Sequence, residues 1–445
     1  MPRSARAVSE SVQAAGSRRV LLSNIAWMLA GNVSYGLSQW ALLVALAKIG
    51  TLEMVGSFAM AIAISLPVLM FSSLSLRSLQ VTDYKKSFRF LEYAALRTVT
   101  VTLSTLIILG FGMATGYRAS ALVSITLIGA AKAIESLSDI LYGLLQQQED
   151  MAGVAVSMIL RASLSVTALS VGVHATHSLL WGSIALLAVS AGVFVGYDIP
   201  KMLMVYRMSV STMAAIVRRY TQQLRAGGYL RLWKLGMAGL PMGFVLMMVS
   251  LNLSIPRYFI QHSLGMAELG IFSAIATLMS AGSVITNAIG QAAAPRLAKY
   301  FAIGDRRGFA TLLGAITAAS LGLGAAGYGT ALFFGPSAMA LIYRPEYSTR
   351  QDVLLWLMGA SGFYYLGSTL GYAVTAARCF TPQLPLFTVA AITTGLACLA
   401  MVPSHGLRGA AIAILISAAV QCAGSAGLLF RSLRAGSQEA VVVAA

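Results

Sequence analysis

The stretch EMVGSFAMAIAISLPVLMFSSLS, residues 53–75, decides the class of this chain. One charge, Glu53, opens it, and 22 uncharged residues follow. That is the length an α-helix needs to cross the roughly 30 Å hydrocarbon core of a bilayer. Blocks of the same kind recur on both sides of it. Read outward with a window of about 20 residues, they give twelve spans, at 20–47, 53–75, 91–112, 119–147, 152–173, 178–199, 234–258, 266–293, 309–334, 351–377, 383–402 and 407–430.

Composition agrees. Apolar residues make up 58% of the 445-residue chain and charged residues 10%, with a mean hydropathy of +0.79; a soluble domain carries about 25% charged residues. Glycine, at 42 residues, suits close helix packing in a membrane. These features exclude a soluble fold and predict an all-α integral membrane protein. Residues 20–47 are too long for a signal-peptide core and lead straight into further spans, so they are expected to remain as the first helix.

The net charge of +17 raises the question of nucleic acid, and its distribution answers it. The basic residues sit in short loops between apolar blocks, with no aromatic-interleaved basic domain. On one side of the predicted spans lie 22 Lys and Arg, on the other six, and three (Arg97, Lys132, Arg161) fall inside spans. By the positive-inside rule both termini are expected in the cytoplasm, as an even number of spans requires. The three cysteines (Cys379, Cys398, Cys422) form no Cys-x-x-Cys pair, and none of the four histidines has metal-ligand spacing, so no metal and no cofactor is expected.

The longest and most basic loop, 200–233, separates six spans from six. The layout is a cytoplasmic tail 1–19, a first bundle 20–199, the linker 200–233, a second bundle 234–430 and a cytoplasmic tail 431–445. Both halves enter the membrane with the same orientation, as parallel repeats do. A short internal match accompanies this: Gly56-Ser57-Phe58-Ala59 and Gly270-Ile271-Phe272-Ser273 lie 214 residues apart, each just after an acidic residue, Glu53 or Glu268. No large extracytoplasmic domain is predicted, which weighs against a receptor or an externally catalytic glycan enzyme.

Ionisable residues inside a bilayer cost roughly 2.5–3.5 kcal/mol each on insertion scales and are candidates for function. Lys132, Glu135 and Asp139, spaced i, i+3, i+7, share one face of the fourth span with Tyr142 and Gln146. Arg97 and Arg161 lie in the third and fifth spans. Two readings stand: Arg97 or Arg161 pairs with Glu135 or Asp139 and locks these helices together, or the cations face a cavity and hold an anion, with the carboxylates coupling to ions. A second polar face runs along the first span through Asn24, Asn32, Tyr35 and Gln39. Asn287 and Gln291 stand one turn apart on the eighth, and Asn252 and Arg257 lie late in the seventh. Such amides either join helices or line the cleft between halves. Tyr364, Tyr365 and Tyr372 are packing aromatics or sugar-stacking surfaces. There is no P-loop, Gly-x-Ser-x-Gly or His-Glu-x-x-His, so neither ATP hydrolysis nor acyl transfer is expected.

Three stretches carry a family resemblance: Asn24-Ile-Ala-Trp27 with Gly31-Asn32 and Gln39-Trp40; Leu76-Arg77 with Thr82-Asp83; and Lys132-Ala-Ile-Glu135-Ser-Leu-Ser-Asp139-Ile-Leu-Tyr142-Gly143-Leu-Leu-Gln146. Over residues 20–170 the chain resembles bacterial polysaccharide-biosynthesis flippases of the multidrug/oligosaccharidyl-lipid/polysaccharide exporter superfamily. The resemblance implies two six-helix bundles around a central cavity opened alternately to either side of the inner membrane. It implies an undecaprenyl-pyrophosphate-linked oligosaccharide as substrate, with membrane lipids, a polysaccharide polymerase and a chain-length regulator as partners, and no nucleic acid. Arg77 and Arg257 match by position the family's cavity cations, with Asn24, Asn32, Gln39, Asn287 and Gln291 as further substrate contacts. The alternatives are a multidrug/cation antiporter of the same superfamily and a membrane-embedded glycan polymerase.

Overall fold

The computed structural model describes residues 3–83, 86–114, 119–223, 229–377 and 382–444, with side chains described for 22–83, 86–114, 121–222, 229–377 and 382–434. Of the basic residues counted above, Arg3, Arg6, Arg18, Arg19, Lys85, Arg118, Arg225 and Arg378 lie outside the described side chains, as does Cys379.

The first half comprises α1 (Arg3–Ile49), α2 (Leu52–Ser73), α3 (Leu76–Thr82), α4 (Phe90–Ala114), α5 (Ala119–Gln147), α6 (Met151–Thr176), α7 (Leu179–Val193) and α8 (Ile199–Val205), the last two joined by a π-helical turn, Phe194–Asp198. Then come α9 (Val210–Gln223) and the second half: α10 (Tyr229–Leu264), α11 (Met266–Ala302), α12 (Arg306–Ile342), α13 (Pro345–Ser348), α14 (Gln351–Ala376) and α15 (Gln383–Ala444).

Ten helical stretches among the described residues are long and apolar enough to cross a membrane. One of them, Gln383–Arg434, holds two spans, because α15 folds back at Gly406 (φ 59, ψ −135). Gly406 takes a backbone conformation that glycine adopts without strain. Its two limbs run antiparallel: Ser417 in the second donates to the Ala390 carbonyl in the first. The stretch missing from the ten is α1, whose Asn, Ser, Tyr and Gln residues dilute its apolar character. With α1 and the second limb of α15, the twelve predicted spans are all present as helices. Residues 3–19 are continuous with the first span in α1, and the linker carries α9. Three helices, α10, α11 and α12, have 36 or 37 residues. At 1.5 Å per residue they are about 55 Å long and extend beyond the hydrocarbon core.

The halves meet along α2, which packs on α10 and α11, and along α1, which touches α11. Small residues set the spacing. A Cβ on Gly239 of α10 would overlap the Leu74 carbonyl, and one on Gly243 would stand 2.8 Å from the Phe71 carbonyl oxygen. At the opposite end of the same seam, Tyr258 donates to the Ala63 carbonyl at 2.6 Å. The α2/α10 seam is therefore sealed from the side of the termini to deep in the membrane.

The tightest contact lies at the end away from the termini, where the two copies of the internal match meet. A Cβ on Gly56 would overlap the Met266 carbonyl, and one on Gly270 would overlap the Leu52 carbonyl. The relation is reciprocal, since 52 and 266 differ by the same 214 residues as 56 and 270. Arg344 closes this end further by donating to the Lys48 and Gly50 carbonyls at 2.7 Å, and Arg350 pairs with Glu268 at 2.8 Å. Toward the termini the α1/α11 seam loosens. Gly36 still faces Val284, but Asn32, Asn287 and Gln291 are exposed. Both seams are closed at the end away from the termini, and on the side of the termini the α1/α11 seam alone is parted.

Candidate functional site

The polar face of α5 is the hub of the first half. At its outer end Lys132 donates to both Glu135 carboxylate oxygens at 3.0 and 3.2 Å, to Gln39 Oε1 at 3.0 Å and to the Tyr35 hydroxyl at 3.3 Å. Tyr35 in turn donates to Glu135 at 2.7 Å. The polar faces of α1 and α5 thus satisfy each other, and Gln39 is committed to Lys132.

One turn on, Asp139 takes Arg77 on one oxygen at 3.0 Å and Arg97 on the other at 3.4 Å. Arg97 is 1% exposed and Arg77 23%. Arg77 reaches this position through an unusual turn. Leu74 and Ser75 both have positive φ, 47° and 50°, a costly conformation for residues with side chains. It breaks α2 from α3 and lays α3 on α5, where Gly143 leaves room for Arg77 and Gln80. The Arg77 fork also donates twice to Gln146 Oε1, at 3.2 and 3.3 Å. Beyond α3, the Asp83 carboxylate accepts from the Ser87 and Phe88 amides. Desolvation opposes this, but the amide donors prevail and hold the carboxyl below its ordinary range.

Arg161 departs from both expected partners. It pairs with Asp198 at 2.9 Å, the two side chains 3% and 1% exposed, and donates to Ser138 at 2.7 Å. Asp198 also accepts from Ser138 at 2.6 Å and from Ser157. The π-helical turn carries Asp198 inward onto α5 and α6. Arg97 pairs with Asp139 as the locking reading proposed; Arg161 does not reach Glu135 or Asp139, because Asp198 stands nearer. Removing one partner of a buried pair costs roughly 3–5 kcal/mol. Asp198→Ala is expected to lower protein abundance severely in membranes, by quantitative immunoblot, and Arg161→Met/Asp198→Leu to restore part of it. Normal abundance of the single variant would show that the pair does not hold α5, α6 and α7 together.

The remaining predicted residues divide. Asn32 and Gln291 are exposed toward the parted side of the α1/α11 seam and Asn24 is half-buried there; the structure gives none of the three a side-chain hydrogen bond. Asn287 accepts from Ser368 of α14 at 3.1 Å. Asn252 joins α10 to both limbs of α15, accepting from Thr394 and, at 3.0 Å, from Ser417. Arg257 is different in kind. Its Nη1 donates to the Leu253 carbonyl of its own helix at 3.1 Å and its Nε is buried without a partner, as are those of Arg97 and Arg161, but unlike those two it has no carboxylate paired with it among the described residues. Arg77 and Arg257 are not brought together: the first lies beside α5 on the side of the termini, the second near the far end of α10.

No family model matches the chain. Its sequence is 24% identical over 397 residues to the capsular polysaccharide biosynthesis protein CapF of Staphylococcus aureus, spanning 89% of this chain and 96% of that protein. Its fold is similar to the inward-facing conformation of a multidrug resistance MATE family transporter of the MOP superfamily (TM-score 0.67, 13% identity, 91% of this chain and 95% of that one). It is also similar to a MOP superfamily transporter from Pyrococcus furiosus whose binding pocket is described as having reverse polarity (TM-score 0.62, 14% identity, 94% and 95%). The chain therefore has the fold of these MOP superfamily transporters and resembles, in sequence, a capsular polysaccharide biosynthesis protein.

Proposed function

We propose that this chain is a flippase of a bacterial inner membrane. It carries an undecaprenyl-pyrophosphate-linked oligosaccharide from the cytoplasmic to the outer leaflet by alternating access, for surface polysaccharide biosynthesis. The observation that carries the reading is Arg257. A guanidinium within the spans, with a buried Nε and no carboxylate partner, is a standing cost, and a pyrophosphate would offset it through paired, charge-assisted hydrogen bonds. The Arg77–Asp139–Arg97 triad adds a net positive charge on the side of the termini, since one carboxylate serves two guanidinium groups. With the basic side in the cytoplasm, the parted seam faces the leaflet on which the lipid-linked glycan is made. Asn24, Asn32 and Gln291 would line the path, and a polymerase and chain-length regulator would act on the delivered product.

The fold neighbours include multidrug transporters, and fold alone does not choose between cationic drugs and an anionic lipid. Charge supports the anionic lipid: a cationic drug needs a free acid, and Glu135, Asp139 and Asp198 each already hold a cation. The test is removal of the protein from its host. Lipid-linked glycan is expected to accumulate, reachable only from the cytoplasmic leaflet, while surface polysaccharide falls. Unchanged surface polysaccharide with heightened sensitivity to cationic drugs would favour the antiporter, and chain elongation by the purified protein without translocation would favour the polymerase.

A further inference from the structure

The second half contains a cavity of about 270 Å³ bounded by α10, α14 and both limbs of α15. It lies next to the seam: Ser368 on its wall is the residue that hydrogen-bonds Asn287 of α11. Every side chain lining it is uncharged. Tyr364, Tyr372 and Phe387 supply aromatic surface, and Asn252, Gln383, Gln421 and Ser425 supply amides and a hydroxyl. Part of this polar capacity is unspent: among the described residues, the Tyr364 hydroxyl, the Gln421 amide and the Ser425 hydroxyl hydrogen-bond to nothing in the protein. Three uncommitted polar groups thus face one cavity and are available to a ligand that enters it.

We propose that this cavity is a subsite for an uncharged sugar residue. Aromatic rings meet the apolar face of a pyranose and amides its equatorial hydroxyls, the division of labour that small-molecule sites use. A phosphate has no cation to meet here, and an alkyl chain would leave the polar groups unsatisfied. The inference rests on the flippase reading and deepens it: the pyrophosphate is held at Arg257, and a sugar of the glycan in the cavity between α10, α14 and α15.

Gly371 gives a clean test. It lines the cavity, and a Cβ there would meet no atom within 4 Å, so Gly371→Leu fills the space without displacing backbone. Purified protein in lipid nanodiscs is titrated with three probes: radiolabelled octyl β-glucoside, the sugarless octyl tetraethylene glycol, and citronellyl pyrophosphate. The wild type is expected to bind the glucoside and the pyrophosphate. Gly371→Leu and Gln421→Leu should each weaken glucoside binding at least tenfold and leave pyrophosphate binding and thermal stability unchanged. Equal glucoside binding by wild type and both variants, or equal competition by the sugarless ether, overturns the subsite. Glucoside binding without pyrophosphate binding keeps the subsite and sinks the flippase reading, pyrophosphate binding alone does the reverse, and binding of neither removes both.

Discussion

Gly270→Ala is expected to stop transport while leaving the protein folded, and Gly56→Ala to do the same. Each added methyl would overlap a backbone carbonyl, of Leu52 or Met266, on the other half of the molecule. A carbonyl cannot rotate away as a side chain can, so α2 and α11 must part. Overpacking of this kind costs about 1–3 kcal/mol. If the contact exists only while the far side is closed, the whole cost falls on that state, and the balance between the two states shifts roughly 5- to 150-fold. The measurement is accessibility of a cysteine at Asn32 or Asn287, in a background lacking Cys379, Cys398 and Cys422. In the wild type an impermeant thiol reagent should reach it from the side of the termini; in Gly270→Ala, from the opposite side. Loss of protein with unchanged accessibility would mean that the glycines are permanent packing and not a gate.

This glycine pair shows what a sequence can and cannot disclose here. The repeat was visible as two four-residue matches 214 positions apart, a signal too short to carry weight in Gly- and Ala-rich helices. Only the fold reveals that the two copies touch each other. The twelve spans were legible because hydrophobic length is a local property, and even the break in α15 fell where the apolar run paused before Gly406. The polar face of α5 was legible for the same reason, since 3.6-residue periodicity puts Lys132, Glu135 and Asp139 in line. Partners across helices were not. Arg161 answers to Asp198, 37 residues away and brought inward by a π-helical turn that no local pattern announces. Arg77 looked free because it fell in the loop after the second span, 53–75; the left-handed pair Leu74–Ser75 instead starts the short α3 that lays it on Asp139 and Gln146. The cavity of the second half draws its walls from three helices, and of its residues only Asn252 and the tyrosines stood out beforehand.

Arg257 offers the sharpest separation between function and stability. Its substitution by Ala is expected to leave abundance and thermal stability at or above those of the wild type. What the side chain gains is one bond to its own helix backbone, and what it loses is hydration of a buried Nε, a penalty of roughly 1–3 kcal/mol. An arginine that merely anchors a helix end among headgroups would behave in the opposite way, since its removal loses a favourable contact. Translocation of lipid-linked glycan should meanwhile fall roughly ten- to 150-fold, the worth of about 1.5–3 kcal/mol for a hydrogen bond to a charged group. Lys completes the comparison. It keeps the charge but not the planar fork, so Arg257→Lys should recover only part of the rate if two phosphate oxygens are held together, and all of it if charge alone matters. Arg77 provides the contrast: its fork is already spent on Asp139 and Gln146, so Arg77→Ala should lower stability as well as transport by loosening α3 from α5. Full translocation by Arg257→Ala at normal abundance would remove this residue, and the site proposed around it, from the mechanism.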